Sequence, residues 1–371
     1  MFFGRFAMIE SCRTREDRGG GGIHAFSERG RLARYPDRLV AACSAELWAC
    51  YGKPAMSSAR AVRPPTLDEI HQAARLIASM LPPSPLASPA DSSSLILKLE
   101  SLQPTGSFKV RGALAALKIL ASDRAVITAS AGNHALGIAY AATRLHRRAT
   151  VVTSTTAAEA KIAAIRRFAV ELVQVGTSFD DAETWALRLA ARENLHYVSA
   201  YNDQYVIAGQ ASIGFELDKQ LEGPLTVVCG VGGGGLASGL GLWANTRADV
   251  RVVGVECAAS TALSTSIRAG RHISMDIGPT LADGLAGNIE HGSVTIDLVG
   301  RYVHDLVTVS EGEISSAIRY LALERGVVAE GAGAVSVAAV LAGRVRETAK
   351  TVAVVSGRNI TPAKLGNILT S

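Results

Sequence analysis

Aromatic side chains are scarce, at 5% of the 371 residues, whereas glycine occurs 36 times. A core with so few rings is built from helices and aliphatic strands, not from the aromatic-rich layers of a β-sandwich, and the expected class is α/β. Cysteine is also rare: the five residues, at positions 12, 43, 50, 229 and 257, form no CxxC pair. That excludes a disulfide framework and a cysteine-based zinc site, and no metal is expected. There is no uninterrupted run of about 18 apolar residues to span a bilayer. The N-terminus lacks a basic segment followed by an apolar one and a cleavage site. A cytoplasmic protein with no membrane partner is therefore the expectation. The net charge of +5 is too weak a balance for nucleic acid, whose phosphates demand clustered basic residues.

What is present is an ordinary globular composition, 48% hydrophobic and 19% charged, in a chain long enough to bury a substantial core. Residues 1 to 57 carry scattered arginines, four glycines at 19 to 22 and no sustained period of 2 or 3.6, so no fold is assigned to them. Three readings stay open for this stretch: a tail, a start codon placed too far upstream of Met56, or an extension that packs on a neighbouring subunit. Ordered sequence begins at Pro64, Pro65 and Thr66, where Thr66 and Glu69 have capping-box spacing. Ile70, Ala73, Ala74, Ile77 and Leu81 then share one helical face. Beyond it, β-rich runs at 95 to 99, 126 to 128, 150 to 153, 172 to 175, 225 to 229, 250 to 255 and 351 to 355 alternate with helical segments. Strands separated by helices imply parallel sheet joined by right-handed crossovers.

Four segments carry chemistry. GSFKVRGA at 106 to 113 places Lys109 just after a turn and ahead of an apolar-periodic stretch. An amine near a helix N-terminus, partly buried between Phe108 and Val110, has its charged form disfavoured, and a neutral lysine can form a Schiff base. Standing alone, the segment reads first as a solvated surface lysine. SAGNHA at 130 to 135 follows a β-branched run and opens a helix. Backbone amides there can hold a carboxylate, with the Ser130 hydroxyl and Asn133 amide as further donors; simple capping by either residue is the plainer alternative. VVCGVGGGGLASG at 227 to 239 brings a buried strand to Gly232, Gly233, Gly234 and Gly235 and then to a helix, an arrangement suited to a phosphate without a nucleotide or, alternatively, an ordinary packing loop. Finally TVAVVSGRN at 351 to 359 ends an apolar strand in Ser356, whose hydroxyl can meet a ring nitrogen or merely close a turn.

In this order and spacing the four resemble the threonine dehydratase and serine racemase branch of the fold-type II pyridoxal-phosphate enzymes, over roughly residues 66 to 359. VIAGQ at 206 to 210, VVGVE, TLADGLA and VVAEGAGA add to the likeness. The resemblance implies a tryptophan synthase β-like fold of two open twisted sheets with flanking helices. Its large domain would comprise 58 to 124 with 204 to 371, its small domain 125 to 203, and the site would lie between them. It implies pyridoxal 5'-phosphate bound to Lys109, with Phe108 packed on the pyridine ring and Asn133 on the phenolic oxygen. Gly232, Gly233, Gly234 and Gly235 would cradle the phosphate, and Ser356 would face the ring nitrogen. Ser130, Asn133 and His134 would hold the substrate carboxylate. The activity implied is α,β-elimination of water from L-threonine, L-serine or a related β-hydroxy amino acid, yielding a 2-keto acid and ammonia, in a homodimer or homotetramer.

Departures from that pattern narrow the reading. Racemases of the group carry a serine after Ser130 as a second acid/base, and Ala131 stands here; alanine cannot move protons, which favours dehydration over inversion of Cα. Metal-dependent relatives pair a glutamate like Glu256 with an aspartate six positions on, where this chain has Ala262. Phe168 and Ala169 replace a common Gly-Ala pair, and no consequence follows from the sequence. Lys109 is followed by Val110, Arg111 and Gly112, unlike the cysteine synthase branch, and with few residues after Ser356 no amino-acid-sensing regulatory domain is expected. Dehydration of an aryl-serine, hydroxyaspartate or ectoine-derived substrate, a serine racemase-like activity, and a pyridoxal-phosphate carrier without turnover remain the alternatives. Residues 281 to 290 are expected to line the side-chain pocket, with no charge pair demanding a dicarboxylic substrate.

Overall fold

The computed structural model describes residues 60–88, 95–120, 124–346 and 350–370. The expectations for residues 1 to 57, and Cys12, Cys43 and Cys50, lie outside them. The first helix, α1 (Leu67–Met80), opens as expected: the Thr66 side chain accepts from the Glu69 amide, and the Glu69 side chain accepts from the Thr66 amide. Ile70, Ala73 and Ile77 are buried beneath it.

Each of the seven expected β-runs is a strand. Numbered along the chain with three that were not foreseen, the strands are β1 (Leu86–Ala87), β2 (Leu95–Lys98), β3 (Val126–Ala129), β4 (Ala149–Thr153) and β5 (Glu171–Gln174). The remaining five are β6 (His196–Tyr197), β7 (Leu225–Gly230), β8 (Val250–Cys257), β9 (Asp305–Val309) and β10 (Thr351–Val354). The unforeseen strands are β1, β6 and β9. Two are only two residues long, and β9 is a partly exposed edge, so none shows the buried aliphatic run that marks the others.

Six strands form one sheet in the order β1-β2-β10-β7-β8-β9, and four form a second in the order β5-β4-β3-β6. Every pairing is parallel except β1 with β2. Helices cover both faces of the larger sheet. Val227, Val252 and Val352 belong to one apolar cluster, and their chain neighbours Val228, Val253 and Ala353 to another. Burial on both faces explains why these strands read as unbroken aliphatic runs with no polar alternation.

The last strand, β10, inserts between β2 and β7. That insertion places its C-terminal end beside those of β2 and β7, where crevices form in open α/β sheets.

Candidate active site

Lys109 is the first residue of α2 (Lys109–Ile119). Two residues on, Arg111 is fully buried and pairs with Glu100 at 2.7 Å and Glu216 at 2.6 Å, while Lys98 reaches Glu216 at 2.7 Å. A buried network of this kind is costly to break from one side, so it anchors the first turn of α2 and the lysine that begins it. The half-buried Lys109 amine donates to the Ala200 carbonyl at 2.9 Å and lies 5.1 Å from the centre of the Phe108 ring. Burial draws its pKa down to about 8, against the opposing pull of Glu330. The direction is the one expected from the sequence, with desolvation as its largest cause.

The segment carrying Ser356 lies against Lys109's helix start. The Phe108 amide donates to the Ser356 carbonyl at 3.1 Å, and Ser107 bridges Gly357. The buried Ser356 hydroxyl donates to the Ala332 carbonyl at 3.2 Å. Asn133 comes from the other sheet, at the start of α3 (Asn133–Arg144). Its amide nitrogen donates to Glu330 Oε1 at 2.6 Å, and its oxygen accepts from Asn359 Nδ2 at 2.5 Å. The cap of α3 is Gly132, with no side-chain cap bond, so neither Ser130 nor Asn133 caps the helix. Among the described residues no acceptor takes the amides of Asn133, His134 and Ala135, which stay available to an anion at the helix N-terminus.

His134 presents its backbone to this site more than its ring. The ring is buried, with Nε2 on the Val198 carbonyl at 3.1 Å, and desolvation followed by the Lys109 charge holds its pKa down to about 3. It is therefore a neutral imidazole.

After α3 the chain forms α4 (Glu159–Arg166), α5 (Phe179–Glu193) and α6 (Gln204–Gln220), and the glycine loop then follows β7 and leads into α7 (Gly235–Ala244). A Cβ on Gly233 would stand 2.3 Å from the Tyr201 ring, one on Gly235 2.8 Å from the Tyr201 backbone, and one on Gly232 2.9 Å from the Leu285 backbone. Gly234 adopts φ +84°, which a side chain resists. Since Tyr201 follows Ala200, one turn links the loop to the Lys109 amine.

Glu330 was missed by the sequence reading, although it stands in the VVAEGAGA string. Burial lifts its pKa to about 7, despite the Asn133 bond that favours the carboxylate. Its amide donates to the Gly357 carbonyl at 3.1 Å, and a Cβ on Gly357 would strike its Oε1. A buried carboxyl in contact with a predicted cofactor-binding amide is a signal that only folding reveals. Of the 281 to 290 segment, Leu285 lies against Gly232, Asp283 pairs with Lys161 at 3.3 Å, and Glu290 is engaged elsewhere. A cavity of about 690 Å³ bordered by Leu120, Leu187, Tyr197 and Tyr205 includes none of the predicted site residues. Chemistry, and not volume, identifies the site.

Residues 21–357 match the family model described as pyridoxal-phosphate dependent enzyme. The chain belongs to that family. The match begins well inside the stretch that the sequence reading left unassigned. The L-threonine ammonia-lyase of Thermotoga maritima is 40% identical over 304 residues, covering 80% of this chain and 76% of that protein. The catabolic L-threonine dehydratase of Escherichia coli K12 is 32% identical over 317 residues, 82% and 96% of the two chains. In three dimensions the processed threonine deaminase isoform 2 of Solanum lycopersicum superposes with TM-score 0.75 at 31% identity, covering 86% of this chain and 98% of that one. Maize serine racemase does so with TM-score 0.76 at 26% identity, covering 83% and 98%. The fold is thus fold-type II, and the cofactor is pyridoxal phosphate. The site fits that group: a lysine amine of lowered pKa, a glycine loop at the start of α7 that admits no side chains, and a hydroxyl just beyond the end of β10. Among the described residues no helix is long and apolar enough to cross a membrane.

Proposed function

We propose that the protein removes water from L-threonine, L-serine or a related small β-hydroxy amino acid, releasing a 2-keto acid and ammonia. The observation that carries this reading is the convergence of the Lys109 amine and the glycine loop on the Ala200–Tyr201 turn, with the start of α3 brought against them from the other sheet. The relatives named for threonine ammonia-lyase activity support it.

Bound there, pyridoxal phosphate supplies an electron sink that acidifies the α-C–H bond and lets a β-substituent leave. Phe108, Lys109, Asn133, Gly232, Gly233, Gly234, Gly235 and Ser356 hold it in this reading, the glycine amides taking the phosphate. Lys109 would hold the cofactor covalently before substrate binds and would be a free amine afterwards. With a pKa of about 8, a substantial neutral fraction of the freed amine is then present near pH 8 to accept the α-proton. Ser130 and the amides of Asn133 and His134 fix the substrate carboxylate, which aims the α-proton at Lys109. The Ser356 hydroxyl can rotate from Ala332 to face a ring nitrogen, and it adds no formal charge there. Glu330, held protonated up to near neutrality, keeps negative charge away from the Asn133 side of the site. Sheet composition supports a large domain of 58 to 124 with 204 to 371 and a small one of 125 to 203.

Ala131 sits half-buried between Ser130 and Gly132, and its methyl group offers no proton to the face of Cα opposite Lys109. That disfavours the racemase alternative. The deciding experiment is a panel of β-hydroxy amino acids assayed for keto acid and ammonia. Release from threonine or serine is expected; a cofactor-loaded protein that converts none of the panel overturns the proposal.

A further inference from the structure

Arg60 lies ahead of α1, in a stretch to which the sequence reading gave no role, yet its side chain is only 20% exposed. Its guanidinium makes a fork on Glu290: Nε donates to Oε1 at 2.7 Å and Nη2 to Oε2 at 2.9 Å. Nη2 also donates to the Asn202 carbonyl at 2.7 Å, and the guanidinium lies 4.9 Å from the centre of the Tyr197 ring. Glu290 completes the network from its own side. Its Oε2 accepts from Asn202 Nδ2 at 2.9 Å, and its amide donates to the Tyr201 hydroxyl at 2.8 Å.

Three distant stretches of chain, at 60, 197 to 202 and 290, therefore meet at one guanidinium. Between Tyr197 and Asn202 lie the two residues that the cofactor site leans on. Ala200 supplies the carbonyl that accepts from the Lys109 amine, and Tyr201 packs its ring on Gly233 and its backbone on Gly235. This turn has no strand or helix of its own from 198 to 203. The Val198 amide donates to the Ile127 carbonyl at 2.9 Å, and beyond that point side-chain bonds to Asn202 and Tyr201 hold it.

We propose that Arg60 is a positioning residue for the cofactor site. By clamping Asn202 to Glu290 it fixes the Ala200–Tyr201 turn, and with it both the acceptor of the Lys109 amine and the wall of the glycine loop. The planar fork of an arginine satisfies both carboxylate oxygens and a carbonyl at once, which a lysine ammonium on a flexible stem does not reproduce. Without the guanidinium, the Glu290 carboxylate keeps one amide partner in a largely buried place. It then swings toward water and draws its backbone, and the Tyr201 hydroxyl bound to it, out of register. This inference rests on Lys109 and the glycine loop forming the cofactor site, and not on the identity of the substrate.

The test compares full-length Arg60→Lys, Arg60→Gln and Glu290→Gln, with the Arg60→Gln/Glu290→Gln double variant, against wild type. Cofactor affinity is measured by equilibrium dialysis, alongside the pH titration of the bound cofactor's absorbance, kcat and KM for L-threonine, and the melting temperature. Each single variant should bind pyridoxal phosphate about tenfold more weakly and shift the midpoint of the absorbance titration, and the double variant should be no weaker than the worse single, because the two groups act as one unit. Cofactor affinity and titration midpoint unchanged in Arg60→Lys and Glu290→Gln, even with a lowered melting temperature, would overturn the proposal by reducing the clamp to support of the fold. If Arg60→Gln does not fold, those two conservative variants decide. If wild type binds the cofactor but converts no β-hydroxy amino acid, the functional reading fails while the affinity comparison still decides the role of Arg60.

Discussion

Asn133 and Glu330 meet at 2.6 Å, the amide of one helix start donating to the carboxyl that precedes another. The contact joins a residue expected to touch the cofactor to a buried acid whose pKa is lifted to about 7. Because the native pKa lies above the ordinary carboxylate value of 4.5, the folded state holds the Glu330 proton more tightly. Stability from this group is complete below pH 4.5 and is lost as pH rises toward 7, by at most about 3 kcal/mol. In Glu330→Gln the melting temperature of cofactor-free protein should fall less between pH 5 and pH 8 than in wild type. Equal slopes in thermal scans of the two proteins would show that Glu330 ionises freely in the folded state.

Lys109→Ala removes the covalent attachment and the α-proton base together. Loss of a general base alone costs about 10²–10⁴-fold, so turnover should drop by more than that while the glycine loop still retains some cofactor. Stopped assays of keto acid formation, with dialysis to measure retained cofactor, test both halves of the expectation.

The lowered Lys109 pKa sets a pH profile. With the neutral amine as the proposed base, kcat for elimination should rise with pH and level off above about 8, the value burial imposes. A kcat that is flat from pH 6 to 9 would mean that another group takes the α-proton.

Ala131→Ser places a hydroxyl in the loop between Ser130 and Gly132. D-Serine should appear from L-serine in the variant while elimination continues, and chiral chromatography should find little or none with wild type. Wild-type racemisation as fast as pyruvate release would assign the second proton to some other residue.

Gly233→Ala introduces a methyl 2.3 Å from the Tyr201 ring. Overpacking of this kind costs about 1–3 kcal/mol, and the displaced ring or loop should also weaken cofactor binding. Dialysis and a thermal melt of the same preparation measure the two effects; an unchanged cofactor affinity would place the phosphate elsewhere.

Much of this was legible in the chain itself. The capping box at Thr66 and Glu69 and the aliphatic strands ending at the motifs are local patterns, set by side-chain size and by hydrogen bonds within a few residues. The places of Lys109, Ser356 and the glycines were likewise readable, since a strand end followed by small or polar residues states its own geometry. The edge strand β9 was not readable, because its half-exposed residues carry no unbroken apolar run. His134 shows the opposite limit: it sits in a site motif, yet its ring turns to the Val198 carbonyl once the sheet is assembled.

Residue types and their periods thus determined the strands and the helix starts, that of Lys109 among them. The tertiary structure alone decided which of these touch. Inserting β10 between β2 and β7 brings Ser356 to Phe108, and the meeting of the two sheets brings Asn133 to Glu330. The clamp of Arg60 on Glu290 spans 230 positions in the chain. Such contacts follow from strand order and packing across the whole molecule, which no local propensity encodes, so the acid beside Asn133 and the arginine behind the glycine loop became visible only in the folded chain.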